Sequence, residues 1–496
     1  MLKKISVASA ALFCALNLYS LSVSVNSSPW EDYSRQRLDS LAYAIAADNG
    51  EIKKGISLAE LFPALFDAWL LEVECSPASE RVQFEVPDLA DKLEGIFLSA
   101  GSSGWELEYE GLTFSNINSI NIKGEVLTKR PLEIWVNWEG TEFLRGEIKR
   151  YADLHRVEIK VTEVPRPDSK LISVARGGGA VPDILMVQSG YIDSLVRSGS
   201  IQNIGYMYPE GLQVQGREAF TYDGKIWAVP FYYDAQLMFY NPEMIHGPDY
   251  NWTLSDYEKL CRTAGSSGSI ASAWNAYSAS FLIPFQLSFG KQHIIEPDGS
   301  IRITDEASRK ALEYIIRLKD ASLMTPMERD AMTSLFVSGD AAMIISASYA
   351  IPHFQDLGIP FETVPLPVNQ NTGIRVSPLL DFKAFAITKK SRNTAGARRL
   401  IEYLTGTGVQ YRFTSETSKV PALESAFRLL KGENKYYEAL RISAESGTII
   451  PTDKAYSVYK NTMWKMLRFA ISGRMPPGVV LEKTQELVDK NMEDIN

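Results

Sequence analysis

A repeated alternation of strand and helix patterns, starting at about Pro131, constrains the fold of this 496-residue chain most strongly. Apolar residues alternate over residues 132–136, as in a strand, and then recur at helical spacing over residues 140–154. The apolar segment 182–187 has no such alternation, which is typical of a strand buried on both faces of a sheet. The rhythm predicts parallel sheets with helices on both faces, and therefore an α/β fold.

The same unit recurs along the rest of the chain. Residues 222–225 read Tyr-Asp-Gly-Lys between apolar stretches, which predicts a hairpin. Thr253 and Asp305 each precede a helical pattern and are suited to cap it. Residues 341–346 and 383–388 have the composition of buried strands. The α/β pattern therefore extends well beyond one compact domain of ordinary size.

The region over residues 29–130 has a different character. Apolar residues alternate over residues 105–109 and again around residue 120, with glycine clusters between them, so the region is predicted to be β-rich. One helix is predicted over residues 58–71, bent or restarted at Pro63. We expect a separate small domain of unknown role.

The N-terminus has the organisation of an export signal. Two lysines precede an apolar stretch over residues 5–21, and small residues follow it. We predict a signal peptide over residues 1–24, with cleavage near residues 24–26. Phe13 before Cys14 disfavours a lipoprotein site, and an uncleaved membrane anchor remains the alternative.

Composition and motifs argue against several classes of function. The net charge of -9, without a basic run, disfavours nucleic acid as a partner. The four histidines lack the spacing of a metal site, and no serine lies in a nucleophile elbow. The glycines of 177–179 precede a strand, whereas a phosphate loop follows one. We therefore predict no catalytic residue, no metal and no cofactor, and we expect Cys75 and Cys261 to be free thiols.

Four segments together resemble a known family. Residues 223–245, 252–260, 336–349 and 377–388 are similar, in order and spacing, to successive blocks of the family 1 extracellular solute-binding proteins of ABC transporters. This is the maltose-binding-protein-like family. The resemblance covers the chain from about Pro131 onward, whereas the N-terminal hundred residues have no counterpart in it.

The resemblance implies a two-lobed periplasmic-binding-protein fold of α/β class, type II-like, with a hinge and with ligand held in the cleft. The small extra N-terminal domain would precede it. Lobe 1 would comprise residues 131–234 and 375–428. Lobe 2 would comprise residues 235–374 and 429–496. Hinge closure would enclose the ligand.

A sugar site needs aromatic rings for stacking and carboxylates or amides for paired hydrogen bonds. The resemblance places such groups at strand ends, and the predicted ligand contacts are Trp138, Glu139, Gln188, Ser189, Asp234, Trp274, Asn275, Ser346, Ser348, Tyr349 and Asp381. Tyr349 occupies the position of a stacking tryptophan in the family, and Asp234 that of a cleft carboxylate. Alternatives remain open: an exposed turn for Trp138 and Glu139, a hinge hydrogen bond for Asp234, and core packing for Trp274.

The function that follows is capture of a sugar or oligosaccharide for an ABC importer, without enzymatic activity. We expect a monomer, exported to the periplasm or cell exterior, whose partners are its ligand and the permease subunits. One alternative keeps the fold but binds a glycerophosphodiester, for which Arg375 is the nominated basic residue. Another is an extracellular enzyme, adhesion module or sensory module that uses this fold.

Overall fold

The computed structural model describes residues 21–25, 28–33, 38, 42–46, 52–61, 70–75, 80–85, 96–100, 104–109, 112–123 and 131–493, the last range with gaps at 156, 206–208, 210, 266–267 and 452–453. These residues form two compact units. The first contains the chain up to Pro167 with Gly178–Leu185 and Ile387–Gln410. The second contains Asp168–Gly177, Met186–Ala386 and the chain from Tyr411 onward.

A β-sheet forms the N-terminal part of the first unit. Its elements are β1 (Leu21–Val25), β2 (Ser28–Tyr33), β3 (Tyr43–Ala46), β4 (Ile52–Ser57), α1 (Leu58–Leu61), β5 (Leu70–Cys75), β6 (Glu80–Glu85), β7 (Phe97–Ala100), β8 (Trp105–Tyr109) and β9 (Leu112–Lys123). Among the described residues the strand order is β2-β1-β9-β8-β7-β4-β3, with β5 paired to β9 and β6 to β5. The expectation of a β-rich region is confirmed.

The N-terminal sheet has its own hydrophobic core. Alternate residues of its strands are buried, including Leu71, Val73, Ile120 and Ile122, as expected for a sheet with one covered face. Leu154, from a helix of the α/β part, is buried in the same cluster. The helix predicted over 58–71 is found at residues 58–61 (α1), whereas Leu70 and Leu71 belong to strand β5; residues 62–69, including Pro63, lie outside the described residues.

The α/β part begins at Leu132. Its elements up to the first hairpin are β10 (Leu132–Val136), α2 (Thr141–His155), β11 (Ile159–Glu163), α3 (Pro167–Arg176), β12 (Ile184–Gln188), α4 (Ile192–Arg197), α5 (Val214–Ala219), β13 (Thr221–Tyr222) and β14 (Lys225–Ile226). Strand β10 is parallel to both β11 and β12. The hairpin predicted at 222–225 is confirmed, because Asp223 and Gly224 have φ values of 51° and 67° and join two antiparallel strands.

The middle of the chain continues the alternation. The elements are β15 (Val229–Asp234), β16 (Gln236–Tyr240), α6 (Leu254–Gly265), β17 (Ile270–Trp274), α7 (Ala279–Ser288), α8 (Glu306–Asp320), β18 (Thr325–Pro326), α9 (Arg329–Val337), β19 (Ala341–Ala347), α10 (Ala350–Asp356) and β20 (Glu362–Val364). Within the described residues, β18-β17-β19-β16-β20 form one sheet of the second unit.

The C-terminal part adds one long strand and a series of helices. The elements are β21 (Leu379–Ile387), α11 (Thr394–Thr405), α12 (Thr407–Thr417), β22 (Val420–Pro421), α13 (Glu424–Leu429), α14 (Tyr437–Glu445), β23 (Thr448–Ile449), α15 (Lys454–Ile471) and α16 (Pro477–Glu493). Strand β21 pairs antiparallel with β15 and parallel with β23.

The predicted capping residues behave as expected. Thr253 Oγ1 accepts a hydrogen bond from the Asp256 amide at 3.2 Å, and Asp256 accepts one from the Thr253 amide at 3.0 Å. Asp305 accepts a hydrogen bond from the Ser308 amide at 2.8 Å at the start of α8. These bonds satisfy amides that a helix start leaves without an internal partner.

The sheets of the α/β part are mixed rather than wholly parallel. Strand β15 is antiparallel to β21, and β16 is antiparallel to β19. The apolar pattern indicates which residues are buried. It does not indicate strand direction, because a continuously apolar strand has the same composition whether it pairs parallel or antiparallel. The expectation of parallel sheets therefore holds for β10, β11 and β12 and for β17 with β19, and is wrong for these other pairs.

Candidate functional site

The site is centred on the residues that join β15 to β16. Asp234 ends β15, and only Ala235 separates it from β16. The amide of Ser348 donates to the Ala235 carbonyl at 3.0 Å, which fixes this crossing against the end of β19. Ser348 Oγ also donates to Asp234 Oδ1 at 2.8 Å. The Asp234 carboxylate is therefore held in one orientation by the backbone around it.

Two carboxylates face each other across neighbouring strands. Asp234 of β15 is the direct register partner of Asp381 of β21. Like charges opposite each other destabilise a sheet unless cations offset them, and two buried lysines do so here. Lys419 Nζ lies 2.9 Å from Asp234 Oδ1, and Lys383 Nζ lies 2.8 Å from Asp381 Oδ2. We call these four residues the buried ion-pair cluster.

The two pairs differ in their access to solvent. The side chains of Asp234 and Lys419 are 7% and 1% exposed, whereas Asp381 is 29% exposed beside a Lys383 that is only 3% exposed. Gln188 Nε2 donates to both oxygens of Asp381, at 2.8 and 2.9 Å. Asp381 is thus positioned by two neighbours and still reachable by another molecule.

Gln236, the first residue of β16, ties three elements together. Its Oε1 accepts a hydrogen bond from the Leu379 amide at 3.1 Å, at the start of β21. Its Nε2 donates to the Ser280 carbonyl at 3.2 Å, in the first turn of α7. Gln236 is 8% exposed, and both the oxygen and the nitrogen of its side-chain amide are hydrogen-bonded. It therefore holds β16, β21 and α7 together beside the site.

A cavity of about 500 Å³ opens beside this cluster, within the second unit. Five of the predicted ligand contacts line it, namely Asp234, Asn275, Ser346, Tyr349 and Asp381. Half of the remaining lining side chains can also donate or accept hydrogen bonds, and the others, including Phe281 and Met332, add apolar surface. The volume lies in the range of small-molecule sites.

Tyr349 is the aromatic ring at this cavity that also contacts a charged neighbour. Lys419 Nζ lies 5.5 Å from the centre of its ring, within the range of a cation–π interaction. The Arg329 guanidinium also interacts with Tyr349, and this interaction raises the pKa of Arg329. Arg329 itself is paired with Asp330 at 3.5 Å. The ring is therefore held between cationic groups that carboxylates balance.

A second group of side chains forms the rim of the cavity. Glu328, which lines the cavity, accepts a hydrogen bond from Asn275 Nδ2 at 3.0 Å and one from Arg468. The Arg468 guanidinium lies 4.7 Å from the Tyr277 ring and 4.5 Å from the Trp464 ring. Trp464 is 47% exposed. We call these five residues the rim cluster.

Asn275 contributes an acceptor that the protein does not use. Its Nδ2 is bonded to Glu328, but its Oδ1 is buried with no hydrogen-bond partner among the described residues. Buried polar atoms are nearly always hydrogen-bonded in native proteins. A cavity-lining oxygen of this kind is suited to accept a hydrogen bond from a ligand hydroxyl.

Trp274 is a core residue rather than a ligand contact. It is 0% exposed, its Nε1 lies 3.2 Å from Tyr257 Oη, and its ring is stacked with Phe281 and Phe285. A side chain with no accessible surface cannot stack on a sugar, so we assign Trp274 to the core and correct the earlier expectation. The open alternative of core packing is the one that the structure supports.

Other predicted contacts lie behind the cavity surface. Ser348 is 0% exposed and acts on Asp234, and Gln188 acts on Asp381. Ser189 is 0% exposed, and its Oγ has no hydrogen-bond partner among the described residues. Ser348 and Gln188 therefore support carboxylates that line the cavity, and none of the three residues lines it.

Trp138 and Glu139 belong to the first unit. They form the turn between β10 and α2, as expected, and Trp138 has a φ of 68°. That left-handed conformation is strained for a bulky residue and is common at functional sites. Their role as ligand contacts stays a prediction.

The aromatic residues of α15 have different environments. Tyr459 is buried and donates to Gln286 Oε1 at 3.1 Å. Burial raises the pKa of Tyr456 to about 12, although its hydrogen bond with Ser280 acts in the opposite direction. Both therefore belong to the packing beneath the site, and Trp464 alone of the three is exposed.

Several residues of the site were missed in the sequence. Lys383 was detectable, because it is a basic residue two positions from Asp381 inside the otherwise apolar strand β21. Lys419 had no such signal, because it follows α12 in a segment without a clear period. Glu328 and Arg329 look like an ordinary charged helix start, and only their position beside Asn275 marks them as part of the site.

Features of other protein classes are absent from the described residues. No group of histidine, cysteine, aspartate and glutamate side chains in the described part of the chain could hold a metal ion. No helix there is long and apolar enough to span a bilayer. Cys75 and Cys261 are not joined in a disulfide, as expected, and burial raises the pKa of Cys261 to about 12.

Comparisons with known proteins agree on the fold and the family. The family model described as bacterial extracellular solute-binding protein matches residues 148–438. The galactooligosaccharide-binding protein of Bacillus subtilis is 24% identical over 386 residues, which cover 72% of this chain and 88% of that protein. The N-terminal β-sheet precedes the residues that the family model matches.

Two solved structures have the same fold. The Thermus thermophilus maltotriose-binding protein, bound with maltotriose, has a TM-score of 0.63 at 19% identity, covering 73% of this chain and 100% of that one. A cyclo/maltodextrin-binding protein in complex with maltotetraose has a TM-score of 0.66 at 17% identity, covering 73% and 97%. The predicted fold class is thereby confirmed.

Proposed function

Because the chain belongs to the family of bacterial extracellular solute-binding proteins, we propose that it captures a neutral oligosaccharide in the cavity beside Asp234 and Asp381. It would deliver this ligand to the permease subunits of an ABC importer. The relatives described above are named for galactooligosaccharide and maltotriose, and a malto- or galacto-oligosaccharide is the expected class of ligand.

The observation that carries this proposal is the internal neutralisation of the cavity's carboxylates. Asp234 and Asp381 each have a buried lysine within 3 Å, so neither needs a cationic ligand. Glu328 is likewise paired with Arg468. Carboxylates held in this way can accept hydrogen bonds from sugar hydroxyls, and the Tyr349 ring offers a face for the apolar side of a sugar.

The glycerophosphodiester alternative relies on Arg375 as its basic residue, and Arg375 does not line the cavity. Arg375 donates to the backbone carbonyls of Leu366 and Tyr250, at 2.6 and 2.9 Å, and is not among the residues that line the cavity. Burial lowers its pKa from the ordinary arginine value. Arg329 does line the cavity, but Glu328 and Asp330 flank it in sequence and line the cavity too. The site therefore lacks an uncompensated cation for a phosphate.

The finer points of the proposal rest on the family and the sequence. We propose that the protein works as a monomeric binding component without enzymatic activity, that its N-terminal apolar segment directs export, and that it acts in the periplasm or at the cell exterior. The two lobes would follow the boundaries given above, with Trp138 and Glu139 contributing to the ligand site from lobe 1.

Titration calorimetry on the purified protein tests the proposal. We expect binding of maltotriose, maltotetraose or a galactooligosaccharide, with a raised melting temperature, because a ligand of the native state stabilises it. A glycerophosphodiester such as glycerophosphocholine serves as the matched polar control and is expected to give neither signal. Binding of the phosphodiester without binding of any neutral oligosaccharide would contradict the proposal.

A further inference from the structure

Strand β1 (Leu21–Val25) lies inside the N-terminal sheet rather than ahead of it. One side pairs antiparallel with β2, from Leu21 opposite Tyr33 to Val25 opposite Ser28. The other side pairs parallel with β9, from Ser22 opposite Ser119 to Val25 opposite Ile122. Both of its backbone edges are therefore engaged, which is the position of an interior strand.

The side chains of β1 alternate as its position requires. Leu21 and Val23 are 0% and 2% exposed and belong to the hydrophobic core of the sheet. Ser22 is exposed, and Ser24 Oγ donates to Asn121 Oδ1 of β9 at 2.8 Å. Residues that resemble the end of an export signal thus have the pattern of a half-buried strand.

This position conflicts with cleavage near residues 24–26. Removing residues 21–24 would delete most of a strand that is paired on both sides, together with two buried apolar side chains. Among the described residues β2 reaches the rest of the sheet only through β1, so it would lose its place as well. A newly exposed edge on β9 would also be a site for aggregation.

We propose that the exported protein retains residues 21–25 as a structural strand, so that any proteolytic removal of the apolar N-terminal segment occurs at a bond before Leu21. Small residues such as Ser22 and Ser24 suggest cleavage close to them, whereas this proposal places the cleaved bond earlier in the chain. This inference does not rest on the proposed ligand.

Intact-mass and N-terminal peptide analysis of the full chain, exported by a bacterial host, tests the position directly. The proposal expects a mature N-terminus at or before Leu21, whether the apolar segment is cut, lipid-modified or retained whole. A mature protein that starts at Ser22 or later would overturn it.

Two substitutions in the full chain give a second, independent readout. Val23→Asp places a charge in the core of the sheet, whereas Ser22→Asp is the matched control on the exposed face of the same strand. In limited proteolysis of the exported protein we expect Val23→Asp to lose its N-terminal sheet roughly tenfold faster than Ser22→Asp. Cleavage after residue 24 would remove both substitutions, and equal digestion of the two variants would therefore overturn the proposal.

Discussion

The buried ion-pair cluster and the rim cluster flank one cavity but are built differently. In the first, Lys419 and Lys383 are almost wholly buried, and each lies within 3 Å of a carboxylate, Asp234 and Asp381 respectively. In the second, Glu328 and Arg468 are about half and two-fifths exposed, and the half-buried Tyr277 ring and the exposed Trp464 ring flank the arginine. Buried charges are costly when unpaired, whereas exposed pairs contribute little. The comparison indicates that the first cluster fixes the shape of the site and that the second tunes access to it.

The largest expected effect is a loss of stability when the buried ion-pair cluster loses one of its lysines. Lys419→Met leaves the Asp234 carboxylate buried without its cation, and we expect a loss of about 3–5 kcal/mol in the free energy of unfolding. Urea denaturation followed by circular dichroism measures it. We also expect weaker oligosaccharide binding, because Asp234 and the adjacent Tyr349 would lose their fixed positions.

Lys291→Met is the matched control for that substitution. Lys291 is 5% exposed and lies 2.7 Å from Asp305, but neither residue lines the cavity. We expect a smaller loss of about 1–3 kcal/mol, since Asp305 keeps partial access to water, with unchanged ligand affinity. If Lys291→Met weakened binding as much as Lys419→Met, the buried ion-pair cluster would have no special role at the site.

The next largest effect is expected at Tyr349, an aromatic residue that lines the cavity. Tyr349→Ala removes the ring that is placed to stack on a sugar, and we expect a loss of about 1–3 kcal/mol in binding free energy, measured by titration calorimetry. Tyr437→Ala, at a partly exposed tyrosine of α14 outside the cavity, is the control. Equal affinities for the two variants would remove Tyr349 from the site.

The dependence of stability on pH measures what the ion pair between Lys291 and Asp305 contributes when no ligand is bound. Burial acts to raise the pKa of Asp305, but hydrogen bonds from Lys291 and Ser308 outweigh it and lower the pKa. A carboxyl with a lowered folded pKa stabilises the protein above its unfolded pKa, and this contribution is lost as pH falls through the folded value. We expect Asp305→Asn, which leaves the buried Lys291 without its carboxylate, to lose about 1–3 kcal/mol at neutral pH and less at acid pH. Denaturation midpoints from neutral to acid pH measure it, and a difference from wild type that does not shrink at acid pH would contradict the assignment.

The smallest effect is expected for a substitution in the rim cluster. Glu328→Gln breaks an ion pair between half-exposed side chains, and we expect a stability change of about 0–1 kcal/mol that diminishes further with added salt. Thermal unfolding at low and high ionic strength measures it. A loss as large as that of Lys419→Met would show that the two clusters do not differ in the way their burial indicates.

Much of the fold was legible in the sequence, because burial imposes periodic patterns. The segments at β10, α2, β12 and the hairpin at Asp223 were predicted from apolar spacing and turn chemistry alone. Strand direction was not predictable, since the apolar run of β21 has the same composition whether its neighbour is parallel or antiparallel. Strand β1 has a related ambiguity, because a half-buried strand and the end of a signal both contain small and apolar residues.

The site was predictable in part. Asp234, Asn275, Ser346, Tyr349 and Asp381 were found because the family resemblance places ligand contacts at strand ends, and the structure brings them to one cavity. Trp274 was misassigned because an aromatic residue at a strand end has the same sequence signature in a core or at a surface. Lys383 lies two residues from Asp381 in the same strand, whereas Lys419 is distant from Asp234 in sequence and only the fold brings that pair together.

A crystal structure of the protein with the oligosaccharide that binds most tightly would test the central claim most directly. The account expects a sugar ring against the face of Tyr349, with hydroxyls bonded to Asp381 and to the free Oδ1 of Asn275, and with both lysine pairs intact. An oligosaccharide bound elsewhere on the protein, with no sugar beside Tyr349 and Asp381, would contradict it.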